Sequence, residues 1–169
     1  MMIKVRLLGV FIAAFLFCLS LNAQDSISVD FSVVIPETVK LSQVQRAELR
    51  LKMETVIART NLSGDSENTP FVIVPNVTIG DVKNTGGGIN PIKLVQGELH
   101  VFVKNRYDGT IYHELTMPLQ KTLQGGADKD EMLQLIKSIQ PKDSRFVRFM
   151  KTAKKRILKR YQDKEIVLP

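Results

Sequence analysis

The chain has 169 residues, 44% apolar and 24% charged, which supports one domain with a proper core and is short for two. Its formal net charge is +7, and the excess is local. Residues 24–141 carry 12 basic and 14 acidic side chains, whereas residues 142–169 carry 10 and 3.

Lys4 and Arg6 precede an uncharged apolar run from Leu7 to Leu21, followed by Asn22-Ala23-Gln24. A basic start, an apolar middle and a small residue at the cut describe a secretory signal peptide over residues 1–23. The run is shorter than the ~20 residues that a spanning helix needs, so an uncleaved anchor ranks below a cleaved signal. The single cysteine, Cys18, lies inside this segment. Phe17 stands where a lipoprotein signal has a small residue, which argues against lipidation. Cleavage after Ala23 leaves residues 24–169 as a single domain without a thiol, so it has no disulfide, thiolate metal site or cysteine nucleophile.

Residues 26–35 alternate at Ile27, Val29, Phe31 and Val33, which predicts a first strand ended by Pro36. Residues 41–60 have helical composition. Ser42 with Gln45 fits a capping box, Asn61 to Gly64 supplies the stop, and Leu49, Met53, Val56 and Ile57 form the stripe expected to be buried. Residues 71–79 form a second strand, in which Pro75 requires a sheet edge or a bulge.

After a glycine-rich connector, residues 93–121 read as a β-hairpin around Asp108-Gly109. A two-residue turn pairs Val101 with Thr116 and mixes apolar and polar side chains on both faces. A three-residue turn, Tyr107-Asp108-Gly109, pairs Leu99 with Met117, Val101 with Leu115 and Val103 with His113. The other face then collects His100 with Thr116, Phe102 with Glu114 and Lys104 with Tyr112. A one-residue slip turns a whole strand over, so the register that sorts the faces is preferred. Apolar parity is even at Ile92 and Leu94 and odd from Leu99 onward, which makes Gly97 a candidate bulge.

Asp128 with Glu131 suggests a second capping box, opening a helix with Met132, Leu135, Ile136 and Ile139 on one face. Pro141 ends it, and Ser144 is expected to cap a last helix over residues 144–161. There Phe146, Phe149, Met150, Ala153, Ile157 and Tyr161 share one arc, and Arg148, Lys151, Lys155 and Lys159 another. The order β-α-β-β-β-α-α describes an α+β fold: a small antiparallel or mixed sheet of about four strands with helices packed on one face.

No catalytic motif is found. The two histidines, His100 and His113, fall on opposite faces of the hairpin, and no HExxH-type spacing assists them. Gly86-Gly87-Gly88 lacks the following Lys-Ser or Lys-Thr of a P-loop and joins two strands. Gly125-Gly126 precedes a helix start, but Asp128, Asp130 and Glu131 crowd that end with negative charge. Asn61-Leu62-Ser63 matches a glycosylation sequon, a pattern with many chance hits. No GxSxG elbow or SxxK is present, and no metal or cofactor is expected. The distinctive polar feature is the arc Arg148, Lys151, Lys155 and Lys159, a candidate binding face for acidic surfaces. Such arcs are commonly only solvated. Nucleic acid suits the charge but not an exported chain lacking aromatic-basic platforms.

Four pieces in order carry a resemblance: residues 61–64 (NLSG), 71–75 (FVIVP), 123–126 (LQGG) and 154–161 (KKRILKRY). They resemble a group of uncharacterised exported proteins of Gram-negative bacteria. The arrangement is also similar to small α/β envelope modules such as the TolB amino-terminal domain. Gly125-Gly126 stands where that group has Gly-x-Gly, and the chain stops soon after Tyr161. The resemblance implies a periplasmic or outer-membrane-associated protein and brings no catalytic residue with it.

The expectation is a non-enzymatic exported binding or scaffolding module of the bacterial cell envelope. Its expected partner is an envelope protein or an acidic envelope surface. Two other readings are a peripheral binder of lipid headgroups or polysaccharide through the basic helix, and a small hydrolase whose site the sequence does not show.

Overall fold

The structure, a computed structural model, describes residues 29–62, 69–85, 92–124 and 130–165. The signal segment with Cys18, the glycine runs 86–88 and 125–126, Asp128 and the sequon's Ser63 lie outside the described residues. Four strands and three helices follow in the predicted order: β1 Phe31–Val33, α1 Gln43–Ala58, β2 Phe71–Thr85, β3 Ile92–Asn105, β4 Ile111–Gln124, α2 Glu131–Ser138 and α3 Ser144–Glu165. The sheet is mixed, in the order β1-β2-β3-β4, with β1 parallel to β2 and the other pairs antiparallel.

The first helix forms where its local signals place it. Ser42 Oγ accepts from Gln45 N–H, and Gln45 Oε1 accepts from Ser42 N–H at 2.8 Å, which closes the capping box. Leu49, Met53, Val56 and Ile57 are the residues it buries. Asn61, at φ 53°, turns the chain out of the helix. Between β1 and α1 the chain wraps around the guanidinium of Arg46, which donates to the carbonyls of Ile35, Pro36, Glu37, Val39 and Leu41. Backbone carbonyls that no strand or helix uses are thereby satisfied.

Among the described residues strand β1 is three residues long; of the ten expected, residues 26–28 lie outside the described residues, and 29–30 and 34–35 are not strand. Pairing with β2 covers Phe71 to Ile73, with one further bond from Val34 N–H to Ile73 O. Beyond that point β2 is an edge, and there Pro75 sits opposite Val101, where its missing N–H costs the ladder nothing.

The hairpin keeps the face-sorting register: Leu99 pairs with Met117, Val101 with Leu115, Val103 with His113, and His100 with Thr116. Its turn differs from the expected three-residue form. Asn105 N–H donates to Thr110 O at 2.8 Å, so four residues, Arg106 to Gly109, make the loop. The extra residue is absorbed as a bulge: Lys104 pairs with Ile111, and the expected Lys104–Tyr112 pair does not form. The bulge turns Tyr112 into the core, edge-on to Phe71 at 5.7 Å. Gly109 does take the left-handed region, at φ 70°.

Gly97 is not the bulge. The β3–β4 register runs through it unbroken, and the irregularity lies across the sheet, between Ile79 and Val82 of β2. Parity on β3 is odd throughout. Val95 is buried, whereas Leu94 is half-buried and Ile92 is exposed on the other face. Gly97 is instead a place of close approach, since a Cβ there would lie 2.2 Å from Thr78 O and 2.9 Å from Leu135 Cδ1.

All three helices cover one face of the sheet. A single core runs from Val29 and Phe31 through Leu49 and Met53, the inward residues of β2–β4, and Leu135, Ile136, Phe146, Met150 and Ile157. Helix α2 starts at Glu131 and is capped by Asp130, whose carboxylate accepts from Leu133 N–H at 2.9 Å; the expected cap at Asp128 is thus corrected. Gln45 Nε2 also donates to Asp130, tying the starts of α1 and α2 together. At α3, Ser144 is the first helical residue. Asp143, rather than Ser144, accepts from Arg145 N–H at 2.8 Å. The same carboxylate receives the Arg145 guanidinium, which lowers its pKa to about 2.

Candidate functional site

Helix α3 carries the predicted basic face and seats it on the sheet in a way the sequence did not show. Phe146, Phe149, Met150, Ala153 and Ile157 are buried, and Tyr161 packs partly, edge-on to Phe71 at 6.0 Å. This apolar arc fixes the rotation of the helix about its axis. The opposite arc is thereby presented to solvent.

Arg148, Lys151, Lys155 and Lys159 are all exposed. They follow one another at helical spacings of three, four and four residues and span about 16 Å of the axis at 1.5 Å per residue. Among the described residues none of them forms an ion pair. Arg148 lies near enough to Asp143 to help depress its pKa, but Asp143 is already held by Arg145. The four predicted residues are therefore brought together as one uncompensated stripe. Lys154, Leu158 and Gln162 join Lys151, Lys155 and Lys159 in lining a shallow open groove along it. Leu158 is half-buried against the core, so the groove has an apolar floor between ammonium groups.

Two other cations of α3 turn toward β4. Arg156 Nη1 donates to Tyr112 O at 3.0 Å and lies 3.2 Å from His113 Nδ1. Arg160 sits over the Tyr112 ring at 6.0 Å. Both flank the buried arc, one before Ile157 and one before Tyr161, which is the signal by which sequence could have separated them from the stripe.

His113 lies on the helix side of the sheet and His100 on the other, as the register requires. The His113 ring stacks on Phe149, with centroids 5.3 Å apart and planes 24° apart. Burial, and then the positive charge of Arg156, lower its pKa from the ordinary value, against the opposing pull of Glu114. A neutral ring with Nδ1 accepting from Arg156 is the consistent state. On the outer face His100 bridges Glu98 Oε2 and Thr116 Oγ1, each at 3.1 Å. Among the described residues no group of three His, Asp or Glu side chains could share a metal ion. Among the described residues, too, no helix is long and apolar enough to cross a membrane.

No family model matches the chain, and no curated protein matches it. Solved structures similar to it include a minor lipoprotein from Acinetobacter baumannii, at TM-score 0.47 and 11% identity over 77% of this chain and 96% of that one. A candidate lipoprotein from Caulobacter crescentus matches at 0.38 and 12%, over 82% and 93% of the two chains. A Xanthomonas campestris protein described by the family model DUF330 matches at 0.37 and 10%, over 85% and 92%. Likenesses at this level transfer neither residues nor activity.

Proposed function

We propose that the chain is a non-enzymatic exported module of the cell envelope that binds acidic surfaces through the solvent face of α3. One observation carries the reading: Arg148, Lys151, Lys155 and Lys159 stand exposed in one stripe with no ion-pair partner among the described residues. Like charges at three- and four-residue spacings repel by roughly 0.2–0.5 kcal/mol per pair, so the stripe does not serve helix stability. Its field attracts anionic groups and is screened beyond about 10 Å at 0.1 M salt.

Changing all four residues to Gln should leave the thermal midpoint unchanged or slightly raised, since exposed charges contribute little to folding. The same change should abolish co-sedimentation with anionic vesicles or acidic polysaccharide. Wild-type binding should weaken as salt rises to physiological strength. A wild type that stays in solution at low salt, or a quadruple variant that binds as well, would reduce the stripe to a solvated face.

Export rests on the Lys4 and Arg6 start and the uncharged run that follows. Amino-terminal sequencing of the protein from its host should find Gln24 or a neighbour first. A mature protein beginning with diacylglyceryl-modified Cys18 would contradict cleavage after Ala23.

A further inference from the structure

The groove on α3 is not the same set of residues as the basic stripe. Lys151, Lys154, Lys155, Leu158, Lys159 and Gln162 line it, at the three- and four-residue spacings of one helical face. From Lys151 to Gln162 it runs about 16 Å along the axis at 1.5 Å per residue. Arg148 belongs to the stripe but not to the groove. Lys154 belongs to the groove but not to the stripe. It is half-buried and, among the described residues, forms no ion pair. Leu158 follows Lys154 by four residues and Lys155 by three, which places it between them on the helix surface. Ammonium groups thus stand on either side of an apolar floor that rests on the core.

A bilayer and a polymer chain make different demands on such a face. A bilayer is a plane, and a helix that lies in its interface adds apolar or aromatic side chains to its cations. Among the described residues every large apolar side chain that is exposed belongs to α1, to a strand or to the β3–β4 turn, and none to α3. A polymer is a line and can lie along a groove. Sugars that carry carboxylates combine anionic groups with apolar C–H faces, which match ammonium rims and a leucine floor. The methylene stems of the lysines extend that floor.

We infer that the α3 groove seats a linear acidic polysaccharide. Its carboxylates meet Lys151, Lys154, Lys155 and Lys159, a sugar face rests on Leu158, and the Gln162 amide meets hydroxyl groups at the far end. The inference rests on the proposed binding of acidic surfaces and narrows it to a polymer chain.

Titration calorimetry of the full-length protein with polygalacturonate at low salt tests this. Lys154→Gln should weaken binding about five-fold, the scale of one ion pair at a surface, whereas Arg148→Gln should change it by less than about two-fold. Leu158→Ser should weaken binding of polygalacturonate but not of inorganic polyphosphate, which offers charge without an apolar face. Thermal midpoints of the variants establish that each is folded, and should Leu158→Ser unfold the protein, the comparison of Lys154 with Arg148 still decides. Equal losses for Lys154→Gln and Arg148→Gln would overturn the groove and leave the basic-face reading standing. So would undiminished binding of polygalacturonate by a folded Leu158→Ser variant. Wild-type binding to vesicles of phosphatidylglycerol and phosphatidylethanolamine but not to polygalacturonate has the same consequence. A wild type that binds neither removes both readings.

Discussion

Val101→Asp should cost about 4 kcal/mol or more, a large fraction of the stability of a domain this size, whereas Thr116→Asp should shift it by less than about 1 kcal/mol. The two positions are one residue pair apart on the same hairpin. Val101 is 1% exposed, on the face covered by the helices, opposite Leu115. A carboxylate there, inside the hydrophobic core, either loses its hydration or stays protonated at neutral pH, and both are costly. Thr116 is exposed on the uncovered face, where its hydroxyl meets His100 Nδ1. An aspartate at 116 would keep its water and a hydrogen-bonding neighbour. Leu115→Asp should fall between the two, because Leu115 is only half-buried. Urea titrations of the variants measure the difference. Equal midpoints for Val101→Asp and Thr116→Asp would mean that the hairpin faces are wrongly assigned.

That contrast depends on a register legible in the chain, because period-two alternation has only two phases and a slip exposes a whole apolar set. The capping box at Ser42 and the buried arcs of α1 and α3 were legible for a similar reason: they depend on residues three or four apart. The turn was not. Whether three or four residues close it depends on the Asn105 and Asp108 side chains competing for backbone N–H groups, and on a bulge that places Tyr112 against Phe71. The parity at Ile92 and Leu94 misled because alternation reports burial only where something covers the sheet. Those residues sit on the face without helices, and Val95, next after Leu94, is the one buried.

The candidate site divides along the same line. The stripe Arg148, Lys151, Lys155 and Lys159 follows from helical spacing once the buried arc is known, and all four are exposed. The engagement of Arg156 and Arg160 by β4 depends on where a strand forty residues earlier comes to lie, and so does the stacking of His113 on Phe149. The exposure of Tyr107 and Ile111 is not legible in the chain, because a tyrosine fits the turn there and the bulge that exposes Ile111 has no local signature.

Gly97→Ala should lower stability by about 2–4 kcal/mol, far beyond the effect of the same change at Gly80. The chemistry is identical, one methyl on a strand glycine, so the surroundings decide. At Gly97 the new Cβ would stand 2.2 Å from Thr78 O and 3.3 Å from Thr78 C, both backbone atoms of the neighbouring strand, and 2.9 Å from Leu135 Cδ1. Leu135 can change rotamer only into a filled core, since it is 0% exposed. Thr78 can retreat only by parting β2 from β3, which are paired on either side at Val77–Leu99 and Ile79–Gly97. At Gly80 the Cβ would meet only Gln96 O, at an ordinary 3.7 Å. There alanine should be neutral or slightly stabilising, because it narrows the unfolded ensemble. A third variant separates the two sources of strain. Adding Leu135→Ala to Gly97→Ala relieves the side-chain contact but leaves the carbonyl contact and opens a cavity, so no rescue is expected. Guanidinium midpoints of the three variants provide the measurement. Recovery of stability in the double variant would show that the helix, and not the strand, demands glycine at 97.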